Sequence, residues 1–466
     1  MTLMKSLLLG SAATLVVVAG AQAADLPTRK GAPAAEYVKV CHIDGIAGFV
    51  IPGSDTCLKI TGYLTAQIEG GNLDQGYAYT SGSQLFYVPS NPNPRGVQVG
   101  NPIGNGTSGR NEIGYTTRAE LEFITKTNTA YGVLTSDIDT QFNYGSGFDN
   151  TGAGNGFINH GFLNWAGITA GKANSFFSFF GGGEGWANVF SPDQQGYNQP
   201  LLLAYTATFG GGFSATISIQ DPILTGPSSG ATLAGTDEFF FGNSEVLGLR
   251  SPDIVGSIDL KQGWGGAHIA GVAHNVRQQS LLDNSTIDIW GWAIDGGLKF
   301  DLSSFGAGDN IQLQGVYSEN AIWYSGVSDA MWGENGATNG NGIAMPVTDA
   351  FSNGNGTWAT PDAWSLTALG EFHLGPTWSI DPEISYLQIN WSGVNTGLIS
   401  PNQESWIGGG VIHWDPVPHL DFNLELLYQT THQSMPAAYS AVANGGLPWH
   451  ANTDGLEGRF EITRDF

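Results

Sequence analysis

The sequence predicts an all-β protein whose strands form an antiparallel barrel across a membrane. Three observations predict this fold: apolar and polar side chains alternate along most of the chain, an export signal opens it, and a strand ending in Phe466 closes it. A period of two gives each strand one apolar and one polar face. Helical periodicity is almost absent. The fold therefore depends on which strand face is turned inward.

The first 23 residues have the pattern of a secretory signal peptide. Lys5 precedes the apolar run SLLLGSAATLVVVAG, and the small residues Ala21 and Ala23 suit cleavage before ADLP. The run is shorter than the roughly 20 residues that a spanning helix needs, and no later segment reaches that length. We therefore expect export, and membrane crossing by strands.

Residues 24–56 form the predicted periplasmic leader, and residues 57–466 the predicted barrel. The leader begins ADLPTRKGAPAAEYVKV, which is rich in Ala, Pro and basic residues and has no core pattern. Cys41 and Cys57 are the two cysteines of the chain. In an oxidising compartment we expect a structural disulfide between them, worth about 3 kcal/mol for a loop of this size. Their spacing does not suit a zinc site.

The barrel region consists of alternating segments joined by connections of two kinds. Clear strands include IGYTTRAELEF, GVLTSDIDTQFNY, WGWAIDGGLKFD and HLDFNLELLYQ, the last with a single break at Leu427. Long Gly-, Asn- and Ser-rich connections occur at residues 70–110, 145–157, 221–243 and 325–361, whereas the other connections are short. Outer-membrane barrels have this asymmetry, with tight periplasmic turns and long external loops.

The orientation of the apolar face separates two hypotheses. A secreted β-rich binding protein, such as a sandwich lectin or a propeller, would bury that face as a core. The recurrence of the alternation, the aromatic residues that end the apolar rows and the terminal strand instead favour lipid contact. No blade-length repeat supports a propeller.

The charge balance indicates which class of partner the protein does not bind. Asp and Glu number 41 against 16 Lys and Arg, a formal net charge of -25, which excludes nucleic acid as a partner. The GPSSG stretch at residues 226–230 matches a nucleophile elbow but lacks its strand–turn–helix context, so we expect no enzyme. His268 and His274 lie about 20 Å apart along one strand, too far to share a metal ion. We expect neither a metal nor a cofactor.

Several segments resemble alphaproteobacterial general porins, in order along the mature chain. They include EYVKVCHIDGIAGFVIPGSDTCLKITGYL, TTRAELEF, FLNWAGITAGKANSFFSFF, PDIVGSIDLKQGWGGAHIAG and the closing EGRFEITRDF. The resemblance implies a 16-stranded barrel. It also implies a homotrimer in the outer membrane, in contact with lipid and lipopolysaccharide, that passes small hydrophilic solutes and ions. Phe466 would serve as its assembly signal.

The resemblance also implies a constriction loop folded into the barrel, which by position is residues 178–198. Its acids are Glu184 and Asp193, and Trp186 is placed to pack against the wall. We expect the following residues on the pore wall: Arg118, Glu120, Glu122, Asp137, Asp139, Lys172, Lys261, Asp295 and Lys299. Porins of this family face the acidic loop with a row of arginines on the wall. Here the predicted wall acids outnumber the wall bases, which departs from that pattern and favours cations. A sugar-type porin, with Trp186 guiding the substrate, is the alternative.

Overall fold

The computed structural model describes residues 39–71, 85–86, 97–98, 113–147, 155–179, 189–192, 199–222, 244–248, 250–280, 282–327, 348–393, 401–435 and 451–466. The predicted signal peptide and the predicted constriction residues Glu184, Trp186 and Asp193 lie outside these residues. In the described part of the chain, no helix has the length and apolar character to cross a membrane.

Sixteen antiparallel strands form a closed barrel, as predicted. In chain order they are β1 (Cys57–Gly71), β2 (Ile113–Thr129), β3 (Gly132–Gly147), β4 (Asn155–Trp165), β5 (Ile168–Lys172), β6 (Leu201–Gly210), β7 (Phe213–Gln220), β8 (Asp253–Gln262), β9 (Gly265–Ser280), β10 (Thr286–Asp301), β11 (Asn310–Glu319), β12 (Thr357–His373), β13 (Trp378–Ser392), β14 (Asn402–Val417), β15 (Leu420–Gln433) and β16 (Asn452–Asp465). Each strand pairs with the next one along the chain, and β16 pairs with β1 to close the ring. Closure leaves the barrel without a free sheet edge.

The apolar face of the strands is the outer surface of the barrel. On β15, Leu424, Leu426 and Tyr428 are 41%, 53% and 50% exposed, whereas Glu425 between them is 1% exposed. Leu427, which breaks the alternation, also faces inward and is buried in an apolar cluster inside the barrel. The predicted lipid-facing orientation is therefore present, and the secreted-protein hypothesis, which needs a buried apolar face, is not supported.

The connections at one end of the barrel are short. Two-residue turns occupy residues 130–131, 166–167, 211–212, 263–264 and 418–419. In the turn between β4 and β5, Ala166 and Gly167 both have positive φ, 52° and 84°, as a type I′ turn requires. Short turns mark the periplasmic end of such barrels. The opposite end, which carries the long connections, is therefore the external end.

The leader attaches to the first barrel strand. Its described part forms a hairpin of Val40–Ile43 and Ile46–Val50, which extends the sheet through pairing of Phe49 and Val50 with the start of β1. A disulfide joins Cys41 to the buried Cys57 of β1. The hairpin is thus held at the periplasmic end by both hydrogen bonds and a covalent link.

Among the described residues, two connections between barrel strands have parts buried inside the ring. The first, after β5, contributes residues 173–179 and 189–192, which include the described part of the predicted constriction loop. The second consists of residues 320–327, with a 3₁₀ turn at Ile322–Ser325, together with residues 348–354. Ile322, Trp323 and Tyr324 are buried with inward-facing apolar residues of the wall. Only the first segment was predicted to fold inward; the second falls largely in a connection that carries no alternating pattern.

Candidate pore lining and constriction

The described part of the predicted constriction loop is hydrogen-bonded to three wall strands. The backbone N–H of Phe190 donates to Ser385 Oγ on β13 at 3.0 Å, and Thr367 Oγ1 on β12 donates to the Phe190 carbonyl at 2.8 Å. Ser191 Oγ donates to Gln314 Oε1 on β11 at 2.9 Å. All of these groups are buried or inward-facing. The loop is therefore fixed against β11–β13 by specific polar contacts.

Asp295 lies beneath this loop. Gln314, whose Oε1 accepts from Ser191, donates through Nε2 to Asp295 Oδ2 at 2.7 Å. The Asp295 side chain is 1% exposed and lies 4.0 Å from His268 Nε2. His268 stacks on Phe179 with ring centroids 5.5 Å apart. Asp295, a predicted wall residue, thus faces inward and belongs to the network that supports the loop.

A second polar network holds the other inward segment. The Tyr324 hydroxyl donates to Asp253 Oδ2 at 2.6 Å and accepts from Gln220 Nε2 at 3.0 Å. His274 lies 2.9 Å from Asp253 Oδ1 and 3.5 Å from Asp349 Oδ2. Burial raises the pKa of Tyr324 well above its usual range, and the charge of Asp253 raises it further, so the phenol remains a donor. These polar contacts hold the segment against β7–β9.

The inward segments contact the wall formed by β7–β13. Rows of charged side chains face inward on β1–β3 and β13–β16. Inward-facing carboxylates on β1–β3 and β13–β16 are Glu69, Glu120, Glu122, Asp137, Asp139, Asp381, Glu383, Asp421, Glu425, Glu457 and Glu461. The cations in the same rows are Lys59, Arg118, Lys126 and Arg459. Lys126 is paired with Asp44 of the leader. Acids therefore outnumber bases along this part of the wall.

Arg459 is surrounded by glutamates. Its guanidinium lies 3.2 Å from Glu69 Oε1, 3.4 Å from Glu425 Oε2 and 2.8 Å from Glu457 Oε1. All four side chains are buried. Three carboxylates around one guanidinium leave the group with a net negative charge. These residues were not among the site residues predicted from the sequence, because the barrel seam that joins them is set by closure and not by local pattern.

Two of the remaining predicted wall residues lie within the charged rows, and three lysines lie at or near strand ends. Arg118 donates to Asn143 Oδ1 at 3.0 Å, and Glu120 accepts from Gln141 at 2.7 Å, both within the charged rows. Lys261 and Lys299 lie near the short-turn ends of β8 and β10, opposite Gly266 of β9. Lys172 ends β5 opposite the outward-facing Leu201, and its ammonium donates to the carbonyls of Ile158 and Asn159.

His160 joins the wall through an irregularity in β4. The pairing of β3 with β4 shifts register between Asp139 and Thr140, which places His160 opposite Asp139. His160 Nε2 lies 3.3 Å from Asp137 Oδ1 and 3.9 Å from Glu122 Oε1, and Nδ1 lies 3.5 Å from Asp139 Oδ2. Strict alternation does not foresee such a bulge. The three carboxylates were predicted from the sequence as wall residues, whereas the histidine between them was not.

Known proteins resemble this chain both in sequence and in fold. The family model described as the porin subfamily matches residues 25–450. Porin Omp2b of Brucella neotomae is 29% identical over 422 residues, which cover 88% of this chain and 98% of the relative. Porin Omp2b of Brucella abortus (strain 2308) is 29% identical over 424 residues, with the same coverage. The crystal structure of the outer membrane channel DcaP of Acinetobacter baumannii has a similar fold, with a TM-score of 0.57 at 13% identity, over 90% of this chain and all of the other.

Proposed function

This chain belongs to the porin subfamily, and on that premise we propose that it is a passive outer-membrane diffusion channel that prefers cations. Its relatives are channels and not enzymes. Transport of this kind needs a wet path through the bilayer and no reacting group. Small hydrophilic solutes and ions would follow the charged rows of β1–β4 and β13–β16.

The observation that carries the cation preference is the excess of inward-facing carboxylates over inward-facing bases. Acidic groups along a pore attract cations and repel anions. The low-dielectric barrel wall strengthens this effect, whereas salt screens it over a Debye length of about 10 Å at 0.1 M. Arg459 does not reverse the sign, because three glutamates surround it.

We further propose that residues 178–198 set the size limit, with Glu184, Trp186 and Asp193 at the constriction. The contacts of Phe190 and Ser191 with β11–β13 support an inward course for the loop. Phe466 remains the proposed assembly signal. Its backbone exchanges hydrogen bonds with Gly62 and accepts one from the Thr61 hydroxyl at the end of the barrel, and its side chain is exposed. A homotrimer in contact with lipid and lipopolysaccharide is proposed from family membership.

The test is planar-bilayer recording of the detergent-extracted protein under a salt gradient. We expect stepwise currents, a reversal potential of cationic sign, and a preference that falls as salt is raised because screening shortens the reach of the carboxylates. An anionic or zero reversal potential at low salt would refute the cation preference while leaving the channel intact. Block by micromolar sugar would instead indicate the substrate-preferring alternative. Closure in three steps would support the trimer.

A further inference from the structure

We propose that Glu122, Asp137 and His160 form a metal site on the pore wall that binds Zn²⁺ through one imidazole nitrogen and two carboxylate oxygens. The three residues lie on the adjacent strands β2, β3 and β4. The proposal departs from the expectation of no metal site, which rested on sequence spacing alone. It concerns a ligand of the wall and does not depend on the channel being cation-preferring.

The three candidate ligand atoms lie close to one another. They all lie within 4.8 Å of one another. His160 Nε2 is 3.3 Å from Asp137 Oδ1 and 3.9 Å from Glu122 Oε1. A tetrahedral zinc ion with bonds of about 2.0–2.1 Å keeps its ligand atoms roughly 3.3 Å apart. Binding therefore requires the Glu122 carboxylate to move toward the other two ligand atoms.

A further carboxylate lies near the opposite side of the imidazole. His160 Nδ1 is 3.5 Å from Asp139 Oδ2, and Asn159 Nδ2 donates to that same oxygen at 2.7 Å. In the structure the ring is hydrogen-bonded through Nε2 to Asp137, and the Nδ1 contact is longer than a hydrogen bond. In the proposed site the ion takes the place of the Nε2 contact, and a small shift lets Asp139 accept from Nδ1 and fix the tautomer. Asp139 is then the positioning residue, and Nε2 is the ligand.

The excess of carboxylates around His160 also favours binding of a cation. Glu122 lies directly opposite Asp139 in the pairing of β2 with β3, an arrangement of like charges that destabilises a sheet. The Asp139 side chain is 2% exposed, and its Oδ1 has no hydrogen-bond partner among the described residues. Lys59 and Lys172 act on the cluster only through space. Protonated His160 supplies one positive charge to several carboxylates, whereas a divalent ion supplies two.

The cluster is open to the lumen. The side chains of Glu122, Asp137 and His160 are 23%, 14% and 21% exposed, so they border water without lying on the lipid face. His413 offers a matched comparison on the same wall. Its two ring nitrogens lie 3.2 Å from Asp381 and 2.9 Å from Asp421, one carboxylate each. Within the described part of the chain, no second carboxylate lies close enough to either pair to share an ion with it.

The direct test is calorimetric titration of ZnCl₂ into the full-length, folded, chelator-treated protein in detergent. We expect one Zn²⁺ per chain, with His160→Gln abolishing measurable binding and Asp139→Asn weakening it by about 10- to 100-fold. His413→Gln should leave the affinity unchanged. MgCl₂ should not compete, because Mg²⁺ prefers an all-oxygen octahedral site.

Each outcome decides the proposal. Absence of zinc binding by the wild type would overturn it, and so would equal affinity of the wild type and His160→Gln. Heat-modifiable migration in detergent gels would show that each variant is folded. If His160→Gln fails to fold, the wild type alone suffices: Co²⁺ should give a tetrahedral visible spectrum that Zn²⁺ removes, and an octahedral spectrum would refute the site. These readouts are independent of ion conduction, so they stand or fall separately from the proposed channel.

Discussion

Arg459 Nε lies 3.2 Å from Glu69 Oε1, and this ion pair joins the last strand of the barrel to the first. The two residues face each other in the pairing of β16 with β1. Glu457 on β16 and Glu425 on β15 also contact the guanidinium. The seam that closes the ring is therefore bridged inside the barrel by a buried, charged group.

Replacing Arg459 with Gln should destabilise the barrel strongly. The substitution leaves buried glutamates without their cation, which costs about 3–5 kcal/mol for a broken buried pair. Urea unfolding followed by tryptophan fluorescence would measure this loss. Arg250→Gln is the control, because Arg250 pairs with Asp288 at an exposed site where such a pair contributes about 0–1 kcal/mol. Equal losses of unfolding free energy in the two variants would show that the buried seam pair stabilises the barrel no more than the exposed pair does.

Replacing Ser385 with Ala should loosen the constriction loop. The variant removes the acceptor for the Phe190 N–H, so a buried donor is left unsatisfied at a cost of about 1–3 kcal/mol. We expect faster entry of larger sugars in liposome swelling. Ser405→Ala is the control, since Ser405 is buried on the neighbouring strand but bonds to Thr431. A swelling profile identical to that of the wild type would indicate that other contacts suffice to hold the loop.

Neutralising the constriction acids, with Glu184→Gln and Asp193→Asn together, should lower the cation preference. At the proposed constriction the two negative charges would act on every passing ion, so their loss should move the reversal potential toward zero. Reversal potentials at low salt would show the change. Asp55→Asn removes a charge from the exposed leader and should leave the potential unchanged. If the double variant keeps the wild-type value, the two acids do not stand at the constriction.

Replacing both Cys41 and Cys57 with Ser should free the leader without opening the barrel. The disulfide closes a loop with a sequence separation of 16, for which chain entropy gives about 3 kcal/mol. The hairpin would then depend on few hydrogen bonds with β1, so trypsin should cut after Lys39 faster than in the oxidised wild type. Single-channel conductance should not change. Unaltered cleavage would mean that strand pairing alone holds the leader.

Strand identity and orientation were predictable because both are local. A side-chain period of two follows from the extended backbone itself, so the rows of β15 could be assigned from the sequence. The same periodicity placed Glu120, Glu122, Asp137 and Asp139 on the inward face. On β15, Leu427 was the residue inconsistent with this pattern, and it packs against the apolar lining inside the ring.

The contacts between distant segments were not predictable in this way. Tyr324 lies in a connection without periodicity, yet it is buried against Asp253 because the segment folds into the ring. Asp295 has the alternation of a pore-wall residue, but Gln314 and the loop cover it. Alternation tells which face a side chain occupies, and it does not tell what else fills the lumen.

The sequence by itself determined the barrel strands, the lipid-facing rows and the acidic character of the interior, because each is written into residue type and a two-residue period. Tertiary structure alone decided which charges meet. Closure of the ring brings Arg459 to Glu69, and a one-residue shift in the pairing of β3 with β4 brings His160 among three carboxylates. A bulge adds a residue to one strand of a pair, and strict alternation does not reveal where this happens.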